Sequence, residues 1–271
     1  MKTALVSGGN KGIGYFICKQ LAKTGEYKVY LAARDQERGL KAVNEINNEV
    51  GNKNTEFVSL DVSKDQSVDE LIKKIHAKNK SEPIDVLINN AGIASKGSGF
   101  DQEMAKNTIN VNYYGVRRLT DGLLKRKLIK QDGRIVVVSS QAGVIGSKDI
   151  PKLKPLLDVD NLSFEKIDSI AEGFIDAAAD PSSVKEKGWQ TNTYSTSKAL
   201  VNAYIRVLSK DLNNITINAC CPGWCRTDMG GENAVRTSEE GAEVAVWLAT
   251  APKDQIDGTG CFYYDNHKIK F

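Results

Sequence analysis

A tyrosine and a lysine four residues apart, in the run Tyr194-Ser195-Thr196-Ser197-Lys198, are the side chains of this sequence best suited to chemistry. On a helix, positions i and i+4 share one face. A phenol then lies beside an ammonium, whose fixed positive charge favours the phenolate. Such a pair would bring a tyrosine proton into use near neutral pH, where an isolated phenol of pKa about 10 is a poor base. The same spacing also occurs on ordinary exposed helix faces, so its meaning rests on its surroundings.

A glycine-rich run supplies the first of these. Ser7-Gly8-Gly9-Asn10-Lys11-Gly12-Ile13-Gly14 follows an apolar, strand-like stretch and opens a helical one. Glycines permit positive φ and close backbone approach, and a helix N-terminus offers unpaired N–H donors to a phosphate. Gly8, Asn10, Lys11, Gly12, Ile13 and Gly14 are therefore candidate dinucleotide contacts. The spacing Gly8-x-x-x-Gly12-x-Gly14 is a variant of the usual fingerprint, with its glycines set further apart at the start. An NAD site places an acidic residue about 20 positions on, at the end of the second strand. Here that stretch ends Leu31-Ala32-Ala33-Arg34, with Asp35 one place late. Arg34, Arg38 and Lys11 put cations where a 2′-phosphate would lie, and a guanidinium grips phosphate in bidentate fashion. The expected cofactor is NADPH; the competing reading has Arg34 and Arg38 only capping and solvating the following helix. Asp61 and Val62, ending the third strand, are placed to meet an adenine, although a strand-end carboxylate also serves as a turn or N-cap residue.

The elements that must position these residues alternate along the chain. Strands are expected at 3–7, 28–33, 55–60, 84–89, 134–139, 215–220 and 260–264. Helices are expected at 12–24, 36–50, 65–79, 101–129, from 194 onward and at 238–250. Unbroken apolar strands alternating with helices imply a parallel sheet covered on both faces. Right-handed crossovers then give a doubly wound, Rossmann-type α/β fold. The segment from about 146 to 190 breaks this rhythm, with Pro151, Pro155 and Pro181, a charged helix candidate over 163–179 and no strand. With no internal repeat or low-complexity linker, it reads as an insertion within one domain spanning 1–271.

Composition narrows the class. Lys and Arg number 37 against 34 Asp and Glu, a balance that argues against nucleic acid or an anionic membrane surface as partner. The cluster Lys125-Arg126-Lys127 with Lys130 reads either as a phosphate patch or as the solvated end of a helix. The longest apolar runs, such as Ile135-Val136-Val137-Val138, are far short of a membrane span. The first strand begins almost at once, which leaves no room for a signal peptide. Five scattered cysteines show no framework spacing, and two distant histidines make a zinc site unexpected. Free thiols suit a reducing compartment, so the cytoplasm is the expected location.

Four motifs now stand in order: the glycine loop 8–14, Asn89-Asn90-Ala91-Gly92, Ser139-Ser140 and Tyr194-x-x-x-Lys198. Pro222-Gly223-Trp224 and Thr227 follow them. With these, the chain resembles the short-chain dehydrogenase/reductase family over essentially its whole length, and most of all its NADPH-dependent carbonyl reductases. The resemblance implies that Tyr194 is the general acid protonating a carbonyl oxygen as hydride reaches carbon, and that Ser140 donates a hydrogen bond to that oxygen. It implies that Lys198 lowers the Tyr194 pKa and holds the nicotinamide ribose. Asn112 would bind a water linking Lys198 to solvent. Asn90, Ala91, Gly92, Pro222, Gly223 and Thr227 would border the cofactor. Trp224 reads as a pocket wall or as a loop anchor, and Cys221 as a small buried side chain or a border of the substrate site.

Ser140 and Tyr194 are separated by 53 residues, far more than ordinary members of that family carry there. Since both must reach one substrate oxygen, the additional residues must loop out and return. The resemblance implies that this insertion covers the helices other members use to oligomerise, giving a monomer, and walls the substrate pocket with Trp189. The expected activity is NADPH-dependent reduction of ketones, aldehydes or quinones. Two alternatives stay open: a dedicated reductase of one secondary-metabolite ketone, and a non-catalytic dinucleotide sensor on the same fold.

Overall fold

The computed structural model describes residues 1–79, 82–95, 99–146 and 148–271. Its first half runs β1 (Lys2–Ser7), α1 (Gly12–Lys23), β2 (Tyr27–Ala33), α2 (Gln36–Val50), β3 (Thr55–Ser59), α3 (Asp65–Lys78) and β4 (Ile84–Asn89). The second half holds α4 (Gln102–Ile109), α5 (Gly115–Lys125), β5 (Ile129–Val138), α6 (Phe164–Ala177), α7 (Thr193–Asp211), β6 (Thr216–Cys220), α8 (Ser238–Thr250), β7 (Phe262–Tyr264) and β8 (His267–Ile269). The eight strands form one sheet in the order β3-β2-β1-β4-β5-β6-β7-β8. Every pair through β7 is parallel, and only β7–β8 is antiparallel. The order turns back at β1 and β4, the switch point where doubly wound sheets open a crevice at their strand ends.

Both faces of the sheet are covered, which is why its strands are apolar throughout. Leu5, Tyr30, Ile135 and Ile217 point into a core shared with α3, α5 and α7. Their neighbours Val6, Leu31 and Val136 point into a second core, beneath α1, α2 and α8. Period-two alternation along each strand thus divides one sequence between two cores.

Three expectations need correction. The helix expected over 101–129 is divided: a π-helical turn, Asn110–Tyr114, separates α4 from α5, and β5 already begins at Ile129. One extra residue in a turn barely disturbs apolar periodicity, so the break leaves no mark in the pattern. β5 begins five residues before the expected 134, through Asp132 in the left-handed region at φ 70°. Strand β8 was not expected; the two-residue turn Asp265-Asn266, with φ of 45° and 61°, returns it on β7. Within the insertion, α6 lies inside the expected 163–179, preceded by 3-10 turns at Pro151–Leu157 and Val159–Asn161. Its Ser147 lies outside the described residues.

Candidate active site

A cleft of about 1040 Å³ lies across the carboxyl ends of the strands. It is lined from β2 and β3 by Arg34, Asp61 and Val62, from the β1–α1 loop by Gly8 and Asn10 to Gly14, and from β5, β6 and α7 by Ser139, Pro222, Tyr194 and Lys198. With strands about 4.8 Å apart, β3 and β6 are separated by roughly 24 Å, so the cleft suits an extended ligand.

The glycine loop is built for close approach. Gly8 and Gly12 have φ of 67° and 54°, and a Cβ on Gly14 would lie 2.2 Å from the Gly8 carbonyl oxygen. Asn90 holds the loop from the next strand end, its Nδ2 donating to the carbonyls of Ser7 (3.0 Å) and Gly8 (3.1 Å). The Ser7 hydroxyl in turn accepts from the backbone of Asn90 and Ala91. α1 starts without a side-chain cap, and its first turn holds no acidic residue. Its leading N–H groups and dipole therefore offer an anion site at the cleft floor. Thr227 closes over the loop, its Cγ2 3.2 Å from where a Gly12 Cβ would be.

At the β2–β3 end, Arg34 is exposed on the cleft, whereas Arg38 is not among its lining residues. Arg38 pairs instead with Asp35 at 3.2 Å, and Asp35 also caps α2 by accepting from the Arg38 N–H. Lys11 is paired with Asp228 at 2.6 Å across the mouth. Burial works to raise the Asp61 pKa, but the hydroxyl and N–H of Ser63, with Lys64 and Arg34, hold it below its ordinary value.

At the other end, Asn192 caps α7 by accepting from Ser195 N at 2.8 Å, which sets Tyr194 in the first helical turn. The turn after β5 packs so tightly on α7 that a Cβ on Gly143 would lie 2.5 Å from the Lys198 backbone. This contact brings Ser140, which caps that turn, beside the Tyr194 side chain, where its hydroxyl acts to lower the Tyr194 pKa. Lys198 is buried, and its Nζ donates to the Val138 carbonyl at 2.8 Å while standing 5.7 Å from the Tyr194 ring centre.

The electrostatics of the pair differ from expectation. Burial raises the Tyr194 pKa above 10; the Ser140 hydrogen bond opposes this and Cys221 adds to it. Burial pushes Lys198 down to about 8, against smaller contributions from Cys220 and Cys221. Lys198 therefore does not depress the phenol here, because desolvation costs both groups their charged forms. Asn112 lies in the π-helical turn and is buried. Its Nδ2 donates to Ile93 O (2.8 Å) and Ser197 Oγ (2.9 Å), and its Oδ1 accepts from Ile93 N (2.8 Å). With both donors committed, this side chain braces the Ile93 backbone and the first turn of α7.

None of the three expected substrate-wall residues is among those lining the cleft. Trp224 is 55 % exposed and its indole N–H donates to Gly230 O at 2.9 Å, the loop-anchor arrangement. Trp189 is buried against Phe174, ring centres 5.6 Å apart, and borders a separate cleft of about 350 Å³. Cys221 is buried behind the Ser140 turn, its Sγ accepting from Gln141 N at 3.4 Å. Gly223, at φ 79°, packs against Arg236 and also lies off the lining. Ile93, Ala94, Arg226 and Met229 do line the cleft and were not singled out from sequence. Met229 carried one signal: a large apolar side chain in a polar loop, here 47 % exposed.

Comparison with known proteins places this geometry. The family model described as short chain dehydrogenase matches residues 2–152 and 182–239, passing over the stretch that holds α6. Short-chain dehydrogenase/reductase 1 of Saponaria officinalis is 36% identical, covering 99% of this chain and 95% of that protein. Carbonyl reductase [NADPH] 1 of Mus musculus is also 36% identical, over 97% of this chain and 95% of its own. Among solved structures, salutaridine reductase from Papaver somniferum superposes with a TM-score of 0.88 at 30% identity, covering 98% of this chain and 100% of that one. By its matched length and its relatives, this chain belongs to the short-chain dehydrogenase/reductase family.

Proposed function

We propose that this chain is an NADPH-dependent reductase of small carbonyl compounds (ketones, aldehydes or quinones), working as a single catalytic domain and a cytoplasmic monomer. The observation that carries the reading is the Tyr194–Lys198 pair, with Ser140 beside Tyr194, at one end of a cleft whose floor is an uncapped helix N-terminus and whose far end holds Arg34. Such a donor set fits a dinucleotide bearing a 2′-phosphate: backbone N–H groups for the pyrophosphate, and Arg34 with Lys11 for the additional phosphate. The relatives named as NADPH carbonyl reductases favour the same cofactor. When bound, NADPH supplies the hydride.

The protein's own part is proton delivery and positioning. A phenol held protonated by burial is suited to donate to an oxygen that gains charge as the carbonyl is reduced. Ser140, whose hydroxyl caps its turn and acts on that phenol, would give a second hydrogen bond to the same oxygen. Lys198, a buried side chain that lines the cleft, would hold the nicotinamide ribose hydroxyls. Asn112 fixes the Ile93 backbone beside the cleft.

For the monomer, the supporting feature is α6, which packs on α4 and α7. For location, all five cysteines are free and buried. No helix among the described residues is long and apolar enough to cross a membrane. The decisive experiment follows NADPH oxidation against a broad carbonyl panel, with NADH as comparator. Turnover of several unrelated carbonyls supports the proposal, one dominant substrate favours a dedicated ketone reductase, and binding without turnover marks a sensor.

A further inference from the structure

The insertion reaches the catalytic helix through a chain of partly buried polar groups. On α6, Asp168 accepts from the Tyr113 hydroxyl at 2.8 Å and forms an ion pair with the Arg117 guanidinium. Arg117 Nε donates to Asp121 at 3.3 Å, and Asp121 accepts the Tyr204 hydroxyl of α7 at 2.6 Å. Tyr113 and Tyr204 are fully buried, and their rings meet edge to face at 6.4 Å. The guanidinium also lies over the Phe164 ring at the start of α6, 5.4 Å from its centre.

Tyr113 stands next to Asn112 in the π-helical turn. From Asn112 the bonds continue through Ser197 Oγ, which donates to the Tyr194 carbonyl at 2.7 Å. The inserted helix is therefore connected to the reacting end twice: by way of Tyr113 and Asn112 to the first turn of α7, and by way of Arg117 and Asp121 to Tyr204 further along it. Asp168 and Phe164, both on α6, are the members of this network that the family model does not span. Without its carboxylate, a buried hydroxyl loses its acceptor and a partly buried guanidinium keeps only Asp121 as carboxylate partner, a change that neighbouring groups must absorb by moving.

We propose that Asp168 and Arg117 are positioning residues for carbonyl reduction, through which the inserted helix sets the orientation of the Asn112 turn and of helix α7. This rests on the reading of Tyr194 as proton donor. Its test is Asp168→Asn, which keeps the shape and an acceptor for Tyr113 but removes the charge facing Arg117. Turnover is counted per NADPH-binding site, titrated by NADPH fluorescence, so that misfolded protein drops out of the measurement. The expected result is a kcat per site lowered about tenfold, within the hundredfold that an ångström of misplacement costs, with KM and NADPH affinity held within about twofold. Asp168→Glu, which restores the charge, is expected to recover most of the loss. A kcat per site equal to that of the wild type overturns the proposal, and so does a variant whose only defect is a lower melting temperature. Where Asp168→Asn does not fold, Tyr204→Phe, lacking one hydroxyl, is judged by the same criteria. A wild-type protein that binds NADPH and reduces nothing sinks the reading of function itself, whereas an active wild type with equally active variants sinks this inference alone.

Discussion

Tyr194 is partly desolvated where α7 meets the Ser140 turn, and the penalty falls on the phenolate, so the phenol stays protonated across the neutral range. Tyr194→Phe is expected to lower kcat by about 10² to 10⁴-fold while NADPH binding stays near wild type, as fluorescence titration would show. Lys198 titrates near 10.5 when unfolded and near 8 when folded, so between those values the unfolded chain holds the additional proton. Its contribution to stability is complete above 10.5 and is lost as pH falls through 8. Tyr194, raised above 10, acts in the opposite sense and only beyond that pH. Between pH 8 and 10 the melting temperature of the wild type should therefore rise relative to Lys198→Met; parallel curves would show that Lys198 is not buried as a charge. The two arginines should also separate. Arg34→Ala is expected to weaken NADPH about tenfold or more and leave NADH nearly unchanged, while Arg38→Ala, already paired with Asp35, should do much less. Equal losses for both cofactors would refute a 2′-phosphate site.

At the scale of elements, the glycine loop and the π-helical turn are the parts most sensitive to a single atom. A methyl group on Gly14 would sit 2.2 Å from one carbonyl and 2.4 Å from Asn90 Nδ2, so Gly14→Ala must open the loop. NADPH affinity should fall with it, by calorimetry, more than the affinity of a variant changed at exposed Gly25, where a Cβ meets nothing. Much of this was legible in sequence. The βα order, the glycine loop and the Tyr194–Lys198 face follow from local patterns of period two, period 3.6 and glycine spacing, whereas Ser140 stood out only through the family resemblance. What periodicity does not carry is tertiary commitment. Asn112 offered an amide at the right place, but only packing shows that Ile93 and Ser197 occupy it. Trp189 and Trp224 offered large rings near the right motifs, and Phe174 and Gly230 claim them. The sign of the Tyr194 shift likewise depends on burial, which spacing alone does not report.

At the scale of the molecule, the long excursion between Ser140 and Tyr194 becomes a helix that closes the face of α4 and α7. That its length must loop out was legible from the need to join Ser140 and Tyr194. Its ion-pair network was not, because Asp168 meets Arg117 across 51 residues of chain. If α6 takes the place of a partner subunit, sedimentation should give one species near 29.6 kDa at all practical concentrations. A tetramer in dilute buffer would overturn that reading.

The unexpected strand β8 has a consequence for how the protein fails. The sheet has two rims, and both are short and charged. One is β3, five residues long, with Glu56 held between Lys28 at 2.9 Å and Lys78 at 2.8 Å. The other is β8, three residues long, where His267 and Lys268 face solvent. Rims of this kind make poor templates for a strand donated by another chain. Aggregation of this protein must then wait for the sheet itself to open, so its shelf life in concentrated solution is governed by the rate of unfolding and not by encounters between folded molecules.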